Sequence, residues 1–160
     1  MKNKICFINT CSVWGGGEKW HYTTAKFFSQ KYDICMVTNQ KSELYQRSHS
    51  DIPCFPVAIS NLSFLNPYKI YRLYHYFKKE QVNSIVLNLP SDVKTSGIAA
   101  KLAKVKNIVY RRGMPNPIKN SLLNRFLFKH VVTDIIANSQ EIKRSLLAKS
   151  RIYFPRKKLR

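Results

Sequence analysis

Six short apolar runs, separated by segments of helical period, constrain this chain more than any other feature of its sequence. They lie at 4–10 (KICFINT), 32–39 (YDICMVTN), 53–60 (PCFPVAIS), 84–89 (SIVLNL), 107–112 (NIVYRR) and 134–138 (DIIAN). Each is apolar almost continuously rather than alternately, the pattern of strands buried on both faces in a parallel sheet. The third is the weakest, because Pro56 has no N–H to give to a sheet ladder and belongs on an edge. Between the runs, Trp20, Thr24, Phe27 and Phe28 mark one face of a first helix. Ile70, Leu73, Tyr74 and Phe77 mark another, opened by Asn66-Pro67, a helix-capping residue followed by proline at the first helical position. Ile98, Leu102 and Val105, then Leu123, Phe126, Leu127 and Val131, then Ile142 and Leu146 mark three more. Strands alternating with helices of 10–15 residues make βαβ units with right-handed crossovers. The expected fold is α/β: a single Rossmann-like, doubly wound, mostly parallel sheet with helices on both faces.

At 160 residues, 44% hydrophobic and 12% aromatic, the chain is long and apolar enough for one domain with a core. Its 28 Lys and Arg against 8 Asp and Glu leave a formal charge of +20, which asks for an anionic partner: nucleic acid, lipid headgroups or phosphorylated ligands. No apolar run approaches the roughly 20 residues of a membrane-spanning helix, and the N-terminus turns polar at Asn9, too early for a signal-peptide core. The expected location is the cytoplasm. Cys6, Cys11, Cys35 and Cys54 form neither a disulfide framework nor a zinc motif, so they are read as free thiols.

Three of the five glycines are consecutive, Gly15, Gly16 and Gly17, between the first strand and the first helix. That is the carboxyl end of a strand, where open α/β sheets bind ligands and a helix N-terminus offers N–H groups to phosphate. A turn needing positive φ is the competing explanation, but one glycine would serve it. The loop is not a P-loop, and a dinucleotide fingerprint started at Gly15 would need glycine where Trp20 stands. The second strand ends at Asn39 rather than at an acid able to hold a ribose diol, so nicotinamide and flavin cofactors are disfavoured.

The stretch Trp14-Gly15-Gly16-Gly17-Glu18 resembles the G-G-[AG]-E loop of the family 4 retaining glycosyltransferases of GT-B fold. Asn88-Leu89-Pro90-Ser91-Asp92-Val93-Lys94 after the fourth strand, Tyr110-Arg111-Arg112-Gly113 at the end of the fifth and Ile136-Ala137-Asn138-Ser139 at the end of the sixth extend the likeness over residues 1 to about 150. The string is similar to the N-terminal half of a lipopolysaccharide-core or surface-glycan transferase. The resemblance implies an acceptor-binding half of a two-domain, metal-independent enzyme with no cofactor of its own, whose C-terminal half binds the nucleotide-diphosphate sugar donor. It implies that Gly15, Gly16 and Gly17 line the cleft beside the donor phosphates, that Glu18 opens the helix behind them, and that Asn138 and Ser139 stand at the rim. Asn88, Asp92, Lys94, Arg111 and Arg112 complete the candidate donor- and acceptor-binding set. Many relatives carry a histidine at the end of the fifth strand; here Arg111-Arg112-Gly113 stands there, and His21, His49, His75 and His130 lie elsewhere. The resemblance also implies an acidic E-x7-E donor domain beginning soon after residue 150. Residues 151–160 are instead a basic tail or the truncated start of that domain. A split subunit, a truncated gene product and an engineered end are equally compatible with this.

Single residues have plainer explanations alongside. Arg111 and Arg112 suit bidentate recognition of phosphate or carboxylate, or else form a solvated pair. Ser91 as helix cap and Asp92 in the first turn are explained by capping alone. His21 lies one turn after Glu18, within reach of a hydrogen bond, but is read as a surface histidine. Tyr68, Tyr71, Tyr74, Tyr76 and Phe77, interleaved with Lys69, Arg72, Lys78 and Lys79, together with Lys101, Lys104 and Lys106, fit an anionic membrane surface better than nucleic acid. The functional expectation is the acceptor-side domain of a cell-envelope glycosyltransferase, inactive alone, at the inner face of the membrane with a saccharide or lipid-linked acceptor. The competing class is a basic nucleic-acid- or membrane-binding module without catalysis.

Overall fold

The computed structural model describes residues 3–149, so the tail expected over 151–160 lies outside the described residues. All six apolar runs are strands: β1 (Lys4–Asn9), β2 (Asp33–Thr38), β3 (Cys54–Pro56), β4 (Val82–Leu87), β5 (Asn107–Arg112) and β6 (Asp134–Ala137). They form one parallel sheet in the order β3-β2-β1-β4-β5-β6, with Cys6 opposite both Cys35 and Ile85. β3 lies on the edge, where the missing N–H of Pro56 does no harm.

The strand order decides where the helices go. From β1 the chain steps one way to β2 and β3, and right-handed crossovers put α1 (Gly16–Ser29) and α2 (Glu43–Ser48) on one face. There Phe7, Ala25, Ile34, Met36, Leu44 and Ile52 form the smaller core. From β4 the chain steps the other way, so the opposite face is covered by α3 (Pro67–Lys79), by the helical run 90–102, and by the segment containing α6 (Leu122–Phe126). Its larger core includes Ile8, Leu73, Phe77, Leu87, Tyr110 and Leu127, and Ile142 and Leu146 of α7 (Gln140–Lys149) join it. α3 starts as its sequence dictates: the Asn66 side chain accepts the Lys69 N–H at 3.2 Å and Pro67 follows.

Two expected helix faces each lose one residue to solvent, and both lie beside a π turn. The run 90–102 consists of α4 (Pro90–Asp92), a π-helical turn (Val93–Gly97) and α5 (Ile98–Leu102). A π turn carries an extra residue, so every later side chain is rotated by roughly 100° from where a regular helix puts it. Ala99, Ala100 and Ala103 therefore face the core, while Leu102 is 58% exposed. A second π turn (Leu127–Val131) follows α6; Leu127 and Val131 are buried, and Phe126 just before the turn is 52% exposed. In α1 the buried residues are Glu18, His21 and Ala25, and Phe27 is exposed. An apolar-stripe reading misses that face because two of its three members are polar.

Leu73→Ala is expected to cost about 2–5 kcal/mol and Leu102→Ala less than about 1 kcal/mol, since only the first leaves a cavity. Urea unfolding of the two variants checks the rotated register directly.

Candidate functional site

β1 and β4 are hydrogen-bonded neighbours whose connections diverge to opposite faces of the sheet, the place where an open α/β sheet forms a crevice at its carboxyl ends. Asn9, the last residue of β1, is fully buried. Its amide donates to Glu18 Oε1 at 3.0 Å, and its Oδ1 accepts the Cys11 N–H at 3.2 Å, fixing the loop that leads to the glycines. Glu18, third residue of α1 and 6% exposed, also accepts from Asn88 Nδ2 at 3.3 Å, beyond β4. Asn88 Oδ1 in turn accepts from Arg111 Nη1 at 2.9 Å, and Arg111 Nε donates to Asn138 Oδ1 at 3.1 Å. One chain of hydrogen bonds thus joins the ends of β1, β4, β5 and β6 to the start of α1. The Arg111 guanidinium lies 5.1 Å from the centre of the Trp20 ring, a cation–π arrangement. Burial pushes Arg111 below its ordinary pKa, and the Glu18 charge opposes the shift.

Glycine is required in this network for space, not for rotation. None of the five glycines has positive φ, and Gly15 is extended at φ −159°. A turn that merely needs left-handed backbone is therefore not the reason for the triplet. A Cβ on Gly17 would come within 3.0 Å of Asn88 Nδ2 and 3.3 Å of Arg111 Nη1, and one on Gly113 within 2.7 Å of Arg111 Nη1. Both glycines leave room for the arginine and its partner. Gly16 differs: a Cβ there meets nothing within 4 Å, so its backbone faces open space. Gly15 caps α1 without a side-chain hydrogen bond, and the first-turn N–H groups have no side-chain cap.

The other candidates divide between two places. Asp92, fully buried, accepts from Thr10 Oγ1 at 2.5 Å and from the Leu89 N–H at 3.2 Å. The residue at the cap position of this helix is Leu89 rather than Ser91, which stands two residues later at the second helical position. Burial raises the Asp92 pKa to about 7 against the pull of its hydrogen bonds. Lys94 and Arg112 line a separate cavity with Tyr110. Arg111 and Arg112 are both 7% exposed, so the pair is not a solvated one. Ser139 caps α7, its hydroxyl accepting the Ile142 N–H at 3.2 Å.

His21 corrects the sequence reading most plainly. It is completely buried, packed edge-on against Phe7 at 5.7 Å and beside Trp20 at 5.3 Å, and neither ring nitrogen has a hydrogen-bond partner. Burial, helped by Arg111, lowers its pKa to about 3, so it is a neutral packing ring. The sequence reading missed Asn9, Thr10, Trp20 and Gly113. The point where β1 turns polar, and the lone glycine after β5, were the available signals. Among the described residues no group of three or more His, Cys, Asp or Glu side chains is placed to hold a metal ion. No helix there is long and apolar enough to cross a membrane.

No protein-family model matches the sequence, and no curated protein matches it. Solved structures do match its fold. A glycosyltransferase from Rickettsia africae is 18% identical with a TM-score of 0.81, covering 99% of this chain and 42% of its own. Anabaena HepE, solved in complex with UDP, is 17% identical with a TM-score of 0.74, covering 98% of this chain and 43% of its own. The lipopolysaccharide outer core galactosyltransferase WaaB is 18% identical with a TM-score of 0.71, covering 98% and 44%. The chain spans less than half the length of these structures. Its fold is the Rossmann-like α/β domain that makes up one half of each of these GT-B structures.

Two measurements check the site's physics. Gly16→Val is expected to change stability by no more than about 0.5 kcal/mol, whereas Gly17→Val, driven into Asn88 and Arg111, costs about 1–3 kcal/mol on urea unfolding. Asp92 holds its proton more tightly folded (about 7) than unfolded (3.8), so its stabilising contribution is full below about pH 4 and is lost as pH rises through 7. The Tm difference between Asp92→Asn and the parent should therefore shift in the variant's favour between pH 4.5 and 7.5.

Proposed function

We propose that this chain is the acceptor-side half of a retaining glycosyltransferase of family 4 type, which moves a sugar from a nucleotide-diphosphate donor to an acceptor hydroxyl in cell-envelope glycan synthesis. One observation carries the reading. The glycine loop and the buried network lie together at the β1/β4 divergence, in a fold shared with half of each of several solved glycosyltransferases. Gly16 is open, and the start of α1 is uncapped, which suits the approach of a diphosphate. The network holds Glu18, Asn88, Arg111 and Asn138 in fixed positions around that approach, so little reorganisation accompanies binding.

Donor and acceptor held in one geometry account for up to roughly 7–11 kcal/mol of a transfer barrier, and in a two-half cleft neither half supplies that alone. Donor binding is assigned to a second half, on the same polypeptide or a separate one. A peripheral position at an anionic membrane, with a saccharide or lipid-linked acceptor, is supported by Tyr68 and Tyr71, exposed at 66% and 59% in one groove with Arg72 and Lys79. The +20 charge alone fits a nucleic-acid binder as well, but that reading accounts for neither the buried network nor the glycine loop.

The test joins residues 1–149 to the donor-side half of the Rickettsia africae enzyme and follows diphosphate release and glycan product over a panel of nucleotide sugars and envelope-derived acceptors. Transfer by the fusion, reduced at least tenfold by Gly16→Val at unchanged stability, is the expected result. Residues 1–160 by themselves should show no turnover above background. Turnover by them would demand a self-sufficient active site and overturn the half-enzyme reading.

A further inference from the structure

A second site is built beside the first, on the other side of the β5 terminus. A cavity of about 460 Å³ opens between the start of the helical run 90–102, the end of β5 and the loop 113–121, a size within the range of small-molecule sites. Its charged lining is Lys94, Arg112 and Lys119, with no carboxylate. Arg112 is 7% exposed. Its Nη1 donates to the Tyr110 hydroxyl at 2.9 Å and its Nη2 to the Asn116 carbonyl at 2.6 Å, both uncharged acceptors, and its buried Nε has no partner.

A guanidinium does not give up its proton in a protein, so this is a buried positive charge. Among the described residues no ion pair joins Arg112, Lys94 or Lys119 to a carboxylate. The carboxyl on the same helical run, Asp92, is engaged by Thr10 and Leu89. Buried charge is expensive unless matched, and a bound anion supplies the match. Apart from Asn61, Asn124 and the Tyr110 hydroxyl, the rest of the wall is apolar, with Ile118, Leu127 and Phe128 forming a surface suited to the C–H faces of a sugar ring. The loop that closes it is tied down: the Asn124 amide donates to the Lys119 carbonyl at 2.8 Å, and the Ser145 hydroxyl donates to the Pro115 carbonyl.

We propose that this cavity binds an anionic sugar, a hexose carrying a carboxylate or a phosphate, with Arg112 and Lys94 on the anion and the ring against Ile118 and Phe128. That the bound sugar is the acceptor rests on the transfer reading above; that an anionic sugar binds here does not.

The experiment titrates residues 1–160 with glucuronate, glucose 1-phosphate, neutral glucose and inorganic phosphate at roughly physiological salt, where diffuse attraction to a basic surface is screened. Affinity and the methyl NMR signals of Val93 and Ile118 are followed together. Glucuronate, glucose 1-phosphate or both should bind at least tenfold more tightly than glucose and shift those methyls, the tighter of the two naming the anion. Lys94→Ala should weaken that binding five- to tenfold with little change in Tm. Lys101→Ala, on an exposed lysine outside the cavity, should leave it unchanged. Arg112→Lys keeps the charge but loses the fork and should weaken binding further. Equal binding of glucose, equal binding of inorganic phosphate, silent Val93 and Ile118 methyls, or indifference to Lys94→Ala would each overturn the proposal. None of these outcomes bears on whether the fusion enzyme transfers sugar, so the two readings fail separately.

Discussion

A guanidinium keeps its charge wherever it is placed, and the burial of Arg111 at the end of β5 therefore dictates much of what surrounds it. Asn88 and Asn138 must present carbonyl oxygens to it, Trp20 must offer its ring face, and Glu18 must lie close enough to offset its charge. Gly17 and Gly113 must lack side chains, because the guanidinium and its amide partner occupy the space a Cβ would take. Asn9 then secures Glu18 from below. These residues come from four strand ends and one helix start, so a single buried cation fixes the relative position of five backbone segments.

That arrangement depends on sheet topology. Only where the chain reverses its direction of travel across a parallel sheet do neighbouring strands send their connections to opposite faces, leaving a crevice between them. β1 and β4 are that pair here. Glu18 and Asn88 meet there because the right-handed crossovers that follow β1 and β4 leave on opposite faces. The second cavity follows from the next strand end along: Arg111 and Arg112, adjacent on β5, serve two sites because successive side chains on a strand point to opposite faces.

Small residues and π turns set how close the helices come. Gly97, Ala99 and Ala100 bring the run 90–102 in close: a Cβ added to Gly97 would stand 3.4 Å from Val131 of the second π turn and 3.8 Å from Leu87 of β4. The extra residue in the Val93–Gly97 turn rotates the stripe so that alanines rather than Leu102 meet the core. The same run presents Asp92 to Thr10 and Lys94 to the cavity.

Hydrophobic periodicity is a local property, and it determined what local properties can: six parallel strands, the edge position of the proline-bearing one, the Asn66 cap, and the buried faces of α3 and α7. The glycine triplet and the candidate polar residues at strand ends were legible for the same reason, since a parallel sheet gathers its strand termini on one side. The sequence could not say that Gly17 is there for space, because the atoms it avoids belong to Asn88 and Arg111, some 70 to 95 residues away. Nor could it show that His21 is a packing ring, that a π turn rotates Leu102 outward, or that Arg111 and Arg112 part company into a network and a cavity. Each of those depends on which distant atoms arrive at the same point, and only the packed sheet and its crossovers bring them there.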